Sequence, residues 1–327
     1  MEKVNKTNLD LINDCDNFPR HDLHTNQYNA TVAGLYTLHV AGHDGALGFL
    51  LPHVAETLQG LPAWTLSPES RTLTLSAAAA TPAARTAAVA QTTAAMRATG
   101  HFQVLRGWRD EAYPVYGAGG ELLFTLERAA SPLFGVHVCS VNMTCYVVDE
   151  TGRRHRFWVP RRARAKQTYG GMLDNTVAGG LPAGEAPLDA LVREAEEEAA
   201  LPPELVRRDA RAAGCVSYFL VRDEKAGGET GLLQPESQLV YDLRLREGDG
   251  VEPRVNDGEV EGFALLTTEE VQEALRRGEF KPNTALVMLD FFVRHGILTP
   301  ENEPDYAEIV SRLHRRLPFP GPRRPGL

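Results

Sequence analysis

Lysine is scarce in this 327-residue chain: five of its 34 basic residues are lysine and the rest are arginine. Arginine is spread through every segment, so the bias reads as genome composition and says little about chemistry. Positive charge is also the minority sign. With 43 acidic residues the formal charge is −9, which speaks against general binding to a phosphate backbone and leaves room for a local basic patch around one small anion. No apolar run reaches the ~20 residues of a bilayer span, so neither a nucleic-acid nor a membrane partner is expected. The N-terminal stretch carries acidic residues and lacks both an apolar core and an arginine-rich pattern; the expectation is a cytoplasmic protein. Cysteine is rare. Cys15, Cys139, Cys145 and Cys215 form no C-x-x-C pair and lie mostly inside apolar runs, which predicts buried thiols in a reducing compartment and no zinc site. No G-x-x-x-x-G-K-S/T loop occurs, and no Pro/Ser-rich linker interrupts the chain.

What is present is the composition of an ordinary globular protein, 43% apolar and 24% charged, long enough for two domains of about 100–200 residues each. Leu35 to Leu51 reads as strand, turn and strand around His43-Asp44-Gly45. Thr72 to Ser76 alternates as a further strand. Thr81-Pro82 then opens an alanine-rich helix to about Thr99, with Val89 and Met96 on one face. Beyond Gly100 strands dominate, including Val141 to Val148 and Arg156 to Val159. Later strands fall at Cys215 to Arg222, Gln238 to Leu245 and Gly262 to Leu266, before helices at Thr268 to Arg277 and Asn283 to His295. The last ten residues, PFPGPRRPGL, are expected to form a loose tail.

The informative stretch is Gly179-Gly180-Leu181-Pro182-Ala183-Gly184-Glu185, followed by a helix opened by Pro187 and closed by Pro202-Pro203. At about 100° per residue, Leu188, Leu191, Val192, Ala195 and Ala199 share an apolar arc, and Glu194, Glu197 and Glu198 cluster in the arc beside it. Like charges at these spacings destabilise a helix, and only Arg193 is near enough in sequence to compensate. Either the face is simply solvated, as acidic runs usually are, or a divalent cation neutralises it; Mg²⁺ and Mn²⁺ favour such hard oxygen ligands and bridge them to phosphates. The glycines upstream allow close backbone approach to a ligand.

Loop, carboxylate and helix together resemble the Nudix box, G-x5-E-x7-R-E-U-x-E-E-x-G-U with U aliphatic. One defined position differs: Ala200 stands where the last glycine is expected. The resemblance implies an α/β class, a Nudix α/β/α sandwich around a mixed sheet, preceded here by a smaller α+β domain. The domains are expected at 1–131 and 132–327, on motif grounds. It further implies Mg²⁺, with Mn²⁺ as a substitute, held by Glu194, Glu197, Glu198 and the Gly179 carbonyl, and Arg193 orienting the cluster through Glu185. Glu194 or a later carboxylate would serve as base, with Glu259 preferred to Glu261.

The resemblance extends over nearly the whole chain. Phe18-Pro19, LGFLLP, GWRDEAYPVYG, FTLERAASPLFGV, Lys166 to Asn175, DGEVEGF and FKPNTALVMLDFFVRHGILTP are similar to fungal and plant Nudix proteins with an N-terminal domain related to thiamine diphosphokinase. Members of that group act on a small-molecule diphosphate, thiamine diphosphate and its damaged oxo and oxy analogues, releasing monophosphate and phosphate. The box alone equally admits ADP-ribose or a dinucleotide as substrate, or a non-catalytic binding module. Lys166 is expected to grip the diphosphate, together with the basic cluster Arg153, Arg154, Arg156, Arg161, Arg162 and Arg164, which solubility also explains. Trp108, Tyr113, Trp158, Tyr169 and Phe263 offer π faces for a cationic ring, or are core. His137 and Asn142 read as core or hydrogen-bonded positions. Nothing in the sequence specifies an oligomeric state.

Overall fold

A computed structural model describes residues 5–152, 154–246, 248 and 250–322. Arg153 of the basic cluster and the final five residues lie outside the described residues. The chain divides into two compact units, one of residues 1–16, 139–218 and 237–315, the other of residues 17–138, 219–236 and 316–327.

The chain opens with α1 (Asn8–Cys15), where Thr7 accepts from the Asp10 amide and Asp10 accepts in return from the Thr7 amide. This reciprocal cap satisfies two amides that the first turn leaves without partners. The unit that starts at residue 17 contains α2 (Thr25–Ala33), β1 (Tyr36–Val40), β2 (Gly48–Leu50), α3 (Pro52–Glu56), β3 (Trp64–Ser67), β4 (Thr72–Leu75), α4 (Pro82–Thr99), β5 (Ala112–Tyr116), β6 (Leu122–Glu127) and α5 (Ser131–Phe134). Its sheet runs β2-β1-β4-β3, with β1 parallel to β4 and antiparallel to β2. The α4 helix starts as expected, Thr81 accepting from the Ala84 amide ahead of Pro82. It buries Val89 and Met96 against Leu38, Leu73 and Phe124.

The remaining elements are β7 (Val138–Val148), β8 (His155–Arg162), β9 (Val177–Gly180), α6 (Pro187–Ala199), α7 (Pro203–Asp209), β10 (Arg211–Val221), β11 (Leu233–Arg244), β12 (Val260–Thr267), α8 (Thr268–Arg276), α9 (Pro282–Arg294) and α10 (Tyr306–Leu313). The sheet order is β10-β11-β7-β8-β12, and β9 pairs with the first half of β7, Ser140 to Met143. Side chains alternate along β7. Val141, Met143, Cys145 and Val147 share a core with Leu191, Val192 and Ala195 of α6. Tyr146 and, on β8, Phe157 point the other way, to Phe291 of α9 with ring centres 5.1 Å apart in each case. Helices therefore cover both faces, as an α/β/α sandwich requires.

One expectation needs correction. The tail is not loose from residue 318: Phe319 is buried against Phe49, and the Pro320 carbonyl meets His137 Nδ1 at 3.2 Å. An aromatic flanked by prolines has apolar area to bury, which outweighs the tail's composition. Ala200, the position that departs from the box, ends α6 in the left-handed region at φ 51°. Among the described residues no helix is long and apolar enough to cross a membrane.

Candidate active site

Strand β9 carries the glycine loop to the start of α6. Gly179 pairs with Val141, and a Cβ built on Gly179 would land inside the Glu194 side chain. The missing side chain is what lets Glu194 lie directly over the backbone. Gly184 turns the chain at φ 85°, placing Glu185 just ahead of the helix. One turn beyond Glu194, Glu198 is buried and accepts a hydrogen bond from the Ala178 amide at 3.0 Å. Burial, reinforced by the Glu194 charge, pushes its carboxyl up to about 8.

Arg193 supplies the counter-charge that the acidic face demands. It grips Glu185 with two nitrogens, at 3.1 and 3.0 Å, and its Nη1 bridges Glu194 at 2.9 Å and Glu197 at 3.1 Å. The Glu185 carboxylate holds this guanidinium firmly ionised. Of the three helix carboxylates, Glu197 is the most exposed and Glu198 the least.

One earlier and one later loop come to the same place. Lys166 contacts the Glu259 carboxylate, the Ala163 amide donates to the Glu259 carbonyl at 2.9 Å, and the Lys166 charge opposes the rise at Glu198. Glu261 instead accepts from the Arg164 amide at 3.0 Å. The basic cluster does not act as one surface. Arg162 is buried, bound to Asp174 at 2.6 Å and to the Thr168 carbonyl at 3.0 Å, and Arg161 donates to the Gly171 carbonyl at 2.7 Å. Lys166, whose stem leaves a loop, reaches the Glu259 carboxylate, whereas Arg162, at the end of β8, turns inward to Asp174. Asp174 was not singled out by sequence. Burial would raise its carboxyl, but Lys281 and Arg162 outweigh that and hold it low, and its negative charge contributes to the rise at Glu198. The position of LDNT immediately before β9 is the signal that could have marked it.

Tyr113 is buried in the core of its unit, and Trp108 lies under Arg97 at 4.7 Å and donates to Asp110 at 2.7 Å. Trp158 and Phe263 pack on the core beneath α6. His137 and Asn142 are hydrogen-bonded interior positions, as expected.

Among the described residues no group of three or more His, Cys, Asp or Glu side chains forms a ready-made metal cluster. The donors are nevertheless of the right kind. Glu194 and Glu198 offer hard carboxylate oxygens around a backbone cradle that a Cβ would fill, and such a set suits a divalent cation that retains water and takes further oxygens from a phosphate.

Residues 140–286 match the NUDIX domain family, and residues 12–138 match a domain of unknown function, DUF4743. The glycine loop and its carboxylate helix lie inside the segment that matches the NUDIX domain family. The particular relatives include the uncharacterized protein YJR142W of Saccharomyces cerevisiae, 43% identical over 220 residues, which are 66% of this chain and 64% of the yeast protein. Nudix hydrolase 20, chloroplastic, of Arabidopsis thaliana is 38% identical over 237 residues, 72% of this chain and 59% of the plant protein. Nudix hydrolase 24, chloroplastic, of the same plant is 36% identical over 234 residues, 71% and 60% respectively. The matched regions thus span 59% to 64% of the length of these relatives.

Proposed function

We propose that this chain is a divalent-metal-dependent hydrolase of organic diphosphates, and that its substrates are thiamine diphosphate and the oxo and oxy analogues of that coenzyme. The observation that carries the hydrolase reading is Glu194 lying over the bare Gly179 backbone beside the buried Glu198. Support for the thiamine class comes from the sequence segments quoted above, which extend beyond the Nudix box into the DUF4743 region.

Glu194, Glu197 and Glu198, with the Gly179 carbonyl, would hold Mg²⁺ or Mn²⁺. A bound cation of this kind polarises phosphorus and lowers the pKa of an attacking water. Arg193, fastened to Glu185, keeps the carboxylates from drifting apart. Glu259 takes the proton from the attacking water, with Glu194 the alternative base, and Lys166 meets the negative charge of the diphosphate. Water adds to the terminal phosphorus, the bridging P–O bond breaks, and the organic monophosphate leaves with phosphate as the other product.

The test is phosphate release by the purified chain with Mg²⁺ from oxothiamine or oxythiamine diphosphate against ADP-ribose cleavage. The thiamine analogues are expected to turn over faster. A reversed preference reassigns the substrate and keeps the hydrolase, whereas inactivity on every diphosphate tried rejects both.

A further inference from the structure

Residues 163–172 form a loop between Arg162, the last residue of β8, and Leu173, and this loop carries Lys166. None of its residues is buried, so apolar burial contributes little towards the conformational entropy that ordering the loop costs. Its order rests on polar bonds, and they converge on Arg162. The Arg162 amide donates to the Met172 carbonyl at 2.9 Å, and the Arg162 carbonyl accepts from the Gly171 amide at 3.1 Å, which draws the two ends together.

From inside the loop, the Arg162 guanidinium donates through Nη2 to the Thr168 carbonyl at 3.0 Å and through Nη1 to Asp174 at 2.6 Å. Asp174 is itself fixed. Its amide donates to the Pro160 carbonyl at 3.1 Å, and its carboxylate accepts from the Asn175 amide at 2.9 Å. Arg162 is 8% exposed, so it acts through what it holds rather than by meeting a bound anion. A planar guanidinium fork holds two acceptors in set directions, which a lysine ammonium on its flexible stem does not.

Lys166 lies between the points so fixed. Its amide closes a turn on the Ala163 carbonyl at 3.0 Å, and Thr168 follows two residues later. The same loop leans on the segment before β12: the Ala163 amide donates to the Glu259 carbonyl, the Arg164 amide to the Glu261 carboxylate, and the Lys166 ammonium meets Glu259.

We propose that Arg162 is a positioning residue for the reaction: anchored on Asp174, it fixes the 163–172 loop through the Thr168 carbonyl and so sets the Lys166 ammonium where a diphosphate binds. This rests on the reading above in which Lys166 meets the diphosphate. Arg162 thereby serves the substrate from inside the loop, without touching it.

Arg162→Lys keeps the charge beside Asp174 and loses the fork. Hydrogen exchange on the full chain is expected to show the Lys166, Gly171 and Met172 amides of this variant exchanging about tenfold faster than in the wild type, with those of β7 and α10 unchanged. Calorimetry with methylenediphosphonate and Mg²⁺ reads the anion site without turnover, because the P–C–P bridge is not hydrolysed. Arg162→Lys and Lys166→Ala are each expected to weaken its binding about tenfold, and the double variant to match Lys166→Ala within about twofold. Gly170→Ala opens the loop by another route, since its Cβ would come 2.6 Å from the Arg164 carbonyl; it leaves the Arg162 pair in place and is expected to weaken binding alike. Wild-type exchange or affinity in Arg162→Lys, wild-type affinity in Gly170→Ala, or additive losses in the double variant overturn the proposal and leave the hydrolase reading standing. A wild-type chain that does not bind the diphosphonate at about 1 mM overturns the diphosphate role of Lys166 itself, and the proposal with it.

Discussion

A single missing atom decides much of this site. Gly179 has no Cβ, and the space it leaves is taken by Glu194; Gly179→Ala is expected to displace that carboxylate and abolish turnover. Glu198→Gln tests the carboxylate chemistry more cleanly, because glutamine keeps an acceptor for the Ala178 amide. Loss of kcat on the order of a hundredfold to a thousandfold is expected, with the melting temperature nearly unchanged. Undiminished kcat would remove Glu198 from the metal site. Ala200 is the opposite kind of residue. Its amide bonds to Glu196 and the Leu201 amide to Ala195, both at 3.1 Å, which closes the helix. That closure requires the left-handed conformation, which disfavours any side chain. Ala200→Gly at this exposed position is expected to raise stability by about 0.5–1 kcal/mol in urea unfolding.

Helix α9 shows how one element is fixed at both faces. Its aromatic residues enter the core, and its last turn is tied to β11, where Asp242 receives Arg294 at 3.0 Å and His295 at 3.1 Å. Burial opposes ionisation of Asp242, but His295 and Arg294 prevail and hold its carboxyl below the usual range. A carboxyl lower in the folded than in the unfolded chain stabilises above its unfolded pKa of about 3.9, and loses that contribution as pH falls. The gap in unfolding free energy between wild type and Asp242→Asn is therefore expected to be wide at pH 7 and to narrow progressively as the pH falls below about 4. An unchanged gap at both pH values would mean that the ion pair is not what Asp242 contributes.

At the scale of the molecule, a compact unit is assembled from segments far apart in sequence. Residues 1–16 belong with residues 139–218 and 237–315, and the reason is visible at Asp16. This buried carboxylate receives Arg315 at 2.7 Å and stands 3.5 Å from Arg312, while α1 packs on α9 and α10. Removing the carboxylate takes an ion pair from a buried guanidinium, so Asp16→Ala is expected to cost about 3–5 kcal/mol of unfolding free energy. A loss below about 1 kcal/mol would show that water reaches Arg315 in the folded chain.

Periodicity and local signals were enough for the elements whose stabilisation is local. The α4 cap, the α6 helix with its apolar arc, and β7, β8 and β12 lie close to where alternation and capping residues predict them. Helix α2 was not legible because it buries no residue and has no side-chain cap. The spacing of Glu185, Arg193, Glu194, Glu197 and Glu198 is a property of the sequence, because an α-helix turns any i, i+3, i+4 set onto one side. That Lys166 and Glu259 come to those carboxylates, that Asp174 adds its charge there, and that Arg162 turns inward was decided only by tertiary structure. Each depends on which strands pair and where loops close. Such contacts gather charges from distant segments into a low-dielectric interior, where burial and neighbouring charge set their energy, and no local pattern in the chain encodes them.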